Sequence, residues 1–164
     1  MTATAKIEYQ YHCYTDGSCK AGEGAPGGWG FVIKAPGMQA LEGYGKAKGT
    51  LSKVMEYRAV AEALAALPSG ARAVVYSDDR TLIEKLARHA VNWLENGFAN
   101  VDPLILESAR SIAASIRDKQ LVLRWQWLRS HNGNAGNERA DALAAQGARE
   151  AKAELDPKKP RGAR

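Results

Sequence analysis

The chain has 164 residues and a mass of 17.7 kDa, with 45% hydrophobic and 25% charged residues. That is single-domain, globular composition, and it excludes wholesale disorder and fibrous repeats. Lys and Arg outnumber Asp and Glu by 23 to 18, a net +5 with a pI near 9.3, which points toward a polyanionic partner. Four of those cations and one acid fall in the last nine residues, Asp156 to Arg164, so the other 155 residues carry only +2. No run approaches the roughly 18–20 apolar residues that cross a bilayer. Met1 to Lys6 carries no apolar segment of secretion-signal type. Cys13 and Cys19 are too few for a disulfide scaffold, so a reduced, cytoplasmic protein is expected.

Ile7 to Tyr14 alternates with period two and predicts a first strand. A Gly-rich loop (Gly22, Gly24, Pro26, Gly27, Gly28) is followed by Trp29 to Lys34, a Pro36-Gly37 turn and Gln39 to Tyr44. These three runs form an expected antiparallel meander. Met55 to Leu67 reads as a helix, with Val60, Ala63, Leu64 and Leu67 at helical spacing and Pro68-Ser69-Gly70 as its stop. Ala73 to Tyr76 has the short apolar character of a buried strand. Helices follow over Thr81 to Leu94 and Pro103 to Arg117, then an alternating strand from Leu121 to Trp127, whose tryptophans, Trp125 and Trp127, are assigned to the core. A loop at Asn132 to Asn134 leads to an Ala-rich helix from Ala135 to Ala153. Three strands, helix, strand, helices, strand, helix is the order of a mixed α/β sheet covered by helices. Residues 1–153 are expected to form the domain and 154–164 a basic tail.

Four carboxylates stand out. Asp16 and Asp78 fall at the ends of predicted strands, where sites form in open α/β sheets. Each also suits a plainer role, a turn before Gly17 or a helix N-cap before Thr81. Glu56 lies four residues before Val60, on the apolar stripe of its helix rather than on the side of Arg58 and Glu62. Asp141 shares a face with Asn137, Ala140, Ala144, Ala145 and Ala148, small residues that let a helix approach a sheet closely. An exposed Asp on a weakly amphipathic helix is the alternative. If the four converge, their mutual repulsion calls for divalent cations. An all-oxygen set without a Cys/His cluster favours Mg²⁺ or Mn²⁺, and phosphoryl transfer by two metals is the matching chemistry.

The motifs Tyr14-Thr15-Asp16-Gly17-Ser18-Cys19, Gly27-Gly28-Trp29-Gly30, Met55-Glu56-Tyr57, Ser77-Asp78 and Arg129-Ser130-His131 through Gly136-Asn137-Glu138-Arg139-Ala140-Asp141 occur in that order. Together, from about Glu8 to Ala148, they resemble type 1 ribonuclease H. The resemblance implies a five-stranded mixed sheet in the order 3-2-1-4-5 with helices on both faces. It implies endonucleolytic hydrolysis of the RNA strand of RNA–DNA hybrids, leaving 5′-phosphate and 3′-hydroxyl ends. It also implies two Mg²⁺ ions, with Mn²⁺ as a substitute. In its terms Asp16 bridges both ions, Asp78 helps bind the one that activates the attacking water, and Glu56 with Asp141 helps bind the one at the leaving oxygen. His131 matches a loop histidine that assists proton movement or product release, a task suited to an imidazole titrating near neutrality. Gly17, Ser18, Cys19, Glu56 and Asn137 resemble contacts to the RNA strand, where a hybrid-specific enzyme senses 2′-hydroxyls across the shallow minor groove. Trp93 and Phe98 align with aromatics of the DNA-strand groove, although for Trp93 a place in the core is an equal reading.

The chain departs from the family pattern in several places. Leu94-Glu95-Asn96, with a short connection to Asp102-Pro103, stands where many bacterial members carry a basic protrusion. Weaker or more salt-sensitive binding follows, since phosphate contacts supply much of the affinity. Thr50-Leu51-Ser52-Lys53-Val54 replaces a stretch that often holds paired asparagines, with Ser52 in the place of one. The Cys19 to Gly27 loop is slightly longer than usual. No hybrid-binding domain is expected before Ile7, and the Lys158-Lys159-Pro160-Arg161 tail either replaces lost basic contacts or only adds solubility. A monomer without an obligatory protein partner is expected. The rival readings are a DNA-cutting relative of the transposase or resolvase type, a hybrid-binding module without catalysis, and a metal-binding scaffold. The Gly-Ser-Cys turn and loop histidine argue against the first and third, and the four intact carboxylates against the second.

Overall fold

The computed structural model of the chain describes residues 8–22, 24–130 and 132–155. His131 and residues 156–164 of the predicted tail lie outside the described residues. The strands are β1 (Tyr11–Ser18), β2 (Ala25–Lys34), β3 (Leu41–Thr50), β4 (Arg72–Ser77) and β5 (Val122–Trp127). The helices are α1 (Ser52–Ala66), α2 (Arg80–His89), α3 (Leu106–Asp118) and α4 (Ala135–Leu155). The sheet runs β3-β2-β1-β4-β5, the expected order. The first three strands pair antiparallel, whereas β4 lies parallel to β1 and β5 parallel to β4. Parallel pairs need crossovers, and α1 supplies the one into β4 while α2 and α3 supply the one into β5. Among the described residues no helix is long and apolar enough to cross a membrane.

Strand alternation divides the core between two faces. Cys13, Phe31, Ile33, Ala73 and Val75 pack with α1, α2 and α3, and this cluster takes in Leu64, Leu82, Leu86 and Ile112. Val32 meets Ala140 and Leu143 of α4 on the opposite face, with Tyr14 against them. Helix α1 is buried over most of its circumference, and Arg58 and Glu62, ion-paired at 2.6 Å, mark its narrow wet side. A helix apolar nearly all round belongs inside, which explains how Glu56 comes to be buried. Lys119 closes the far end of α1 by donating to Ala65 O and Leu67 O. Such capping satisfies carbonyls that the helix itself leaves open.

The elements differ from expectation where glycine is dense. Strand β1 continues through Asp16 to Ser18, so Asp16 lies within it, opposite Gly30, and not beyond its end. The expected loop at residues 22–28 gives way at Ala25, and Pro26, Gly27 and Gly28 are part of β2. Strand β3 likewise runs on to Thr50 through Gly45 and Gly49. Glycine reads as a turn signal, but here its missing side chain serves close packing. Helix α2 ends at His89, and the rest of the predicted span is a short 3₁₀ turn (Ala90–Asn92) and irregular turns. Helix α4 extends to Leu155, two residues past the expected boundary.

Helix α4 rests on the sheet almost backbone to backbone. A Cβ on Gly30 would lie 2.7 Å from Leu143 Cβ and 2.8 Å from both Ala140 O and Ala144 N. One on Gly28 would lie 2.8 Å from Gly147 C, and one on Gly147 would strike Gly45 O. The buried line of α4 is Gly136, Asn137, Ala140, Leu143, Ala144, Gly147 and Ala151. This is the small-residue face expected from sequence, with Leu143 and Gly147 on it and Ala145 and Ala148 at its margin. Arg139 to Glu42 (2.8 and 2.9 Å) and Lys46 to Glu154 (2.7 Å) fasten the helix edges to β3. These exposed pairs contribute little to stability, and the fit of the surfaces decides the spacing. Gly30→Val should therefore lower unfolding stability by about 1–3 kcal/mol or more, as overpacking does. Urea denaturation checks it, and an unchanged midpoint would contradict the packing described.

Candidate metal centre and nucleic-acid face

Four elements each deliver one carboxylate to the same end of the sheet. Asp16 comes from β1, Glu56 from the second turn of α1, Asp78 from the residue after β4, and Asp141 from α4. One oxygen from each of Asp16, Glu56 and Asp78 lies within 4.8 Å of the others. Asp141, from α4 on the opposite face of the sheet, acts on the Asp16 carboxyl and so joins the cluster. Asp16 and Glu56 are only 5% and 7% exposed, whereas Asp78 and Asp141 are half-buried.

Local backbone explains the convergence. The start of α1 passes so close to β1 that a Cβ on Gly17 would sit 2.6 Å from Met55 C. Only glycine permits that approach. The Gly17 N–H donates to Glu56 Oε1 at 2.7 Å and to Asp16 Oδ1 at 2.9 Å, one donor joining two carboxylates. Ser77, fully buried, donates its hydroxyl to Glu56 Oε2 at 3.4 Å and accepts the Asp79 N–H at 3.0 Å. Asp79 in turn caps α2 by accepting the Leu82 N–H at 3.1 Å.

The electrostatics are those of crowded anions. Asp16 is pushed up to about 10, first by burial and then by the charge and hydrogen bond of Glu56, with Asp78 and Asp141 adding to it. Glu56 is pushed up to about 7, again mainly by burial, while its bonds to Asp16 and Gly17 pull it back and Asp79 and Asp78 raise it. Carboxylates this close hold protons to higher pH as a group. Bound cations would take the place of those protons. The donors are carboxylate oxygens throughout, which suit Mg²⁺ or Mn²⁺ and not the thiolate and imidazole sets of zinc.

The other residues singled out from sequence are placed as follows. Ser18 is buried at the end of β1. Cys19 is buried too, its sulfur ringed by Gly22 O, Ala25 O and Thr50 O at 3.3–3.5 Å, so its side chain faces inward. Ser52 opens α1 and is exposed. Asn137 is buried in the first turn of α4, its N–H donated to Asn134 Oδ1 at 2.9 Å. Trp93 is 5% exposed and belongs to the core, with Phe98 stacked on it at 6.3 Å between ring centres. Of its two readings, packing places the indole inside, and Phe98 is the more accessible ring. Trp93 also lines a cavity of about 280 Å³ with Lys53, Lys85, His89 and Asn100, where Lys53 pairs with Asp102 at 2.7 Å.

Trp127 corrects the assignment to the core. Trp125 packs against the main cluster, but Trp127 does not join it. It is half-buried at the end of β5 and donates its indole N–H to Asp78 O at 3.1 Å. The strand ends there, so alternation no longer dictates burial. The sequence motif Ser77-Asp78 gave Ser77 no role of its own and left out Asp79, whose signal was adjacency to Asp78.

Comparison with known proteins accords with this geometry. The family model for RNase H matches residues 8–149. The Ribonuclease H of Bordetella pertussis is 35% identical over 141 residues, covering 84% of this chain and 88% of that protein. That of Cupriavidus metallidurans is 37% identical over 135 residues, covering 82% and 92%. Among solved structures, LC9-RNase H1, a type 1 RNase H with the type 2 active-site motif, superposes with a TM-score of 0.71 at 23% identity, over 89% of this chain and 75% of that one. LC11-RNase H1, solved in complex with an RNA/DNA hybrid, gives 0.66 at 22%, over 87% and 99%. These two likenesses concern the fold, whereas the family model and the sequence relatives carry the assignment: the chain belongs to the ribonuclease H family and is an enzyme of it.

Proposed function

We propose that this chain hydrolyses the RNA strand of RNA–DNA hybrids at the Asp16–Glu56–Asp78–Asp141 cluster, with two Mg²⁺ ions and with 5′-phosphate and 3′-hydroxyl products. The observation that carries the proposal is the delivery of four carboxylates from β1, α1, β4 and α4 to one spot, two of them buried. Family membership, and the hybrid bound by LC11-RNase H1, support the substrate class. When bound, such ions neutralise the phosphate, help deprotonate water and stabilise the leaving oxygen.

The roles of the side chains are those that the resemblance to the family implies. Asp16, between Glu56 and Asp141, would help hold both cations. Asp78 would help hold the ion that activates the attacking water, and Glu56 with Asp141 the ion at the leaving oxygen. The Gly17 N–H and the Ser77 hydroxyl orient the Glu56 carboxylate. Gly17, Ser18, Cys19 and Asn137 form the edge along which the RNA strand runs, with Ser52, Phe98 and the rim around Trp93 toward the DNA strand. His131 moves a proton or eases product release. Residues 1–153 form the catalytic unit and the basic residues beyond 155 add electrostatic attraction. The protein acts in the cytoplasm as a monomer, and Mn²⁺ substitutes for Mg²⁺.

Cleavage of a labelled RNA–DNA hybrid in Mg²⁺ should be hybrid-specific when set beside duplex RNA, duplex DNA and single-stranded RNA. Asp16→Asn should lower it by more than about 10²–10³-fold, the loss that follows removal of one preorganised electrostatic group. A wild-type protein that binds hybrid without cutting it in Mg²⁺ or Mn²⁺ would leave a binding module instead. A second expectation concerns pH. Asp16 and Glu56 hold their protons to higher pH in the folded state than in the unfolded chain, so the folded state binds more protons. Metal-free stability should then fall as pH rises from about 4, through the Glu56 value of about 7, toward the Asp16 value of about 10. Thermal melts in EDTA from pH 5 to 9 read this directly, and a midpoint that climbs across that range contradicts it.

A further inference from the structure

Two arginines meet on one tryptophan beside the carboxylate cluster. The Arg80 guanidinium lies 5.6 Å from the centre of the Trp127 ring, and that of Arg129 lies 5.8 Å from it. Trp127 is itself anchored by its indole N–H to Asp78 O at 3.1 Å, so both cations are tied to the residue that places one carboxylate. Arg80 opens α2 and pairs with Glu84 at 2.9 Å, both side chains well exposed. Arg129 is exposed and lies against the indole ring. The indole face steadies each guanidinium without neutralising its charge. A planar guanidinium held in this way matches the geometry of a phosphate.

We propose that Arg80 and Arg129, held on Trp127, each contact a backbone phosphate of the RNA strand close to the one that is cut. The inference rests on the hydrolase reading above and adds to it the residues that hold the cleaved strand. The patch borders Asp78, so the phosphate it reaches belongs to the strand lying on the carboxylates. The second basic feature, the cavity with Lys53, Lys85 and His89, opens near the far end of α2. Ten residues of helix, about 15 Å, separate the two ends. The two features are therefore too far apart to meet the same phosphate. The short Leu94-Glu95-Asn96 connection offers no cations of its own, which raises the weight of phosphate contacts elsewhere.

Hybrid affinity measured against salt concentration tests this, by anisotropy of a labelled hybrid in Ca²⁺ and by steady-state cleavage in Mg²⁺. Arg80→Ala and Arg129→Ala should each flatten the slope of log affinity against log salt by about 0.9, the value of one lost phosphate contact. Each should raise KM with kcat little changed, and Arg129→Lys should recover the slope. A single neutral methylphosphonate, moved along the RNA strand, should weaken wild-type binding at one position where it no longer weakens Arg129→Ala. Wild-type slopes in both alanine variants, or a methylphosphonate effect confined to the DNA strand, would overturn the proposal while wild-type cleavage stood. A wild-type protein that neither bound nor cut hybrid would overturn the hydrolase reading and this proposal with it.

Discussion

Helix α4 lies against β2 with little between the two backbones, and the position of Asp141 depends on that spacing. Gly28, Gly30 and Gly147 have no room for a Cβ, and Ala140 and Ala144 fill the contact with single methyl groups. Gly30 is also the residue paired with Asp16 across the sheet. The position that admits α4 is thus adjacent in the ladder to the carboxylate that α4 must reach. Gly17 does the same on the opposite face, letting the start of α1 close on β1. Two helices on two faces of one sheet are drawn in by glycines one strand apart, and Asp16 stands between them.

This geometry works against stability. Burying Asp16 and Glu56 together raises both pKa values, and each further carboxylate adds to the repulsion. A fold selected for stability alone would place an amide or an apolar group at one of these positions. Strong perturbation by burial and by like charge, at the end of a sheet, is what a functional site imposes on its scaffold. The rest of the molecule carries that cost through an apolar core around α1, whose large buried side chains include Leu64, Leu67, Leu82, Leu86 and Ile112.

Much of this was legible in the residues. Glu56 sat on an apolar stripe where a solvated Glu does not belong, and Asp141 sat on a face of alanines. Both anomalies proved to be buried or half-buried acids meeting at Asp16. The sheet order followed from the element order and the resemblance. The extents of β1, β2 and β3 did not, because Gly17, Gly27, Gly28 and Gly45 read locally as turns and only the tertiary approach of helices makes them strand residues. Trp127 was misassigned for a related reason. Alternation predicts burial along a strand, but says nothing of a residue at its end, where a neighbouring carbonyl and two arginines compete for the ring. Ser77 and Asp79 carried no periodicity at all, and only contact reveals them.

The central claim is that cations balance a cluster of carboxylates held together at the expense of stability. Thermal denaturation of the wild type and of Asp16→Asn at pH 8, each in EDTA and in Mg²⁺, tests it most directly. In EDTA, removing the carboxylate at the centre of the cluster should raise the melting temperature above that of the wild type. Mg²⁺ should raise the wild-type midpoint further with each tenfold rise in its concentration above Kd, and move the variant far less. An Asp16→Asn protein that melts below the wild type in EDTA, and gains as much from Mg²⁺, would contradict the account.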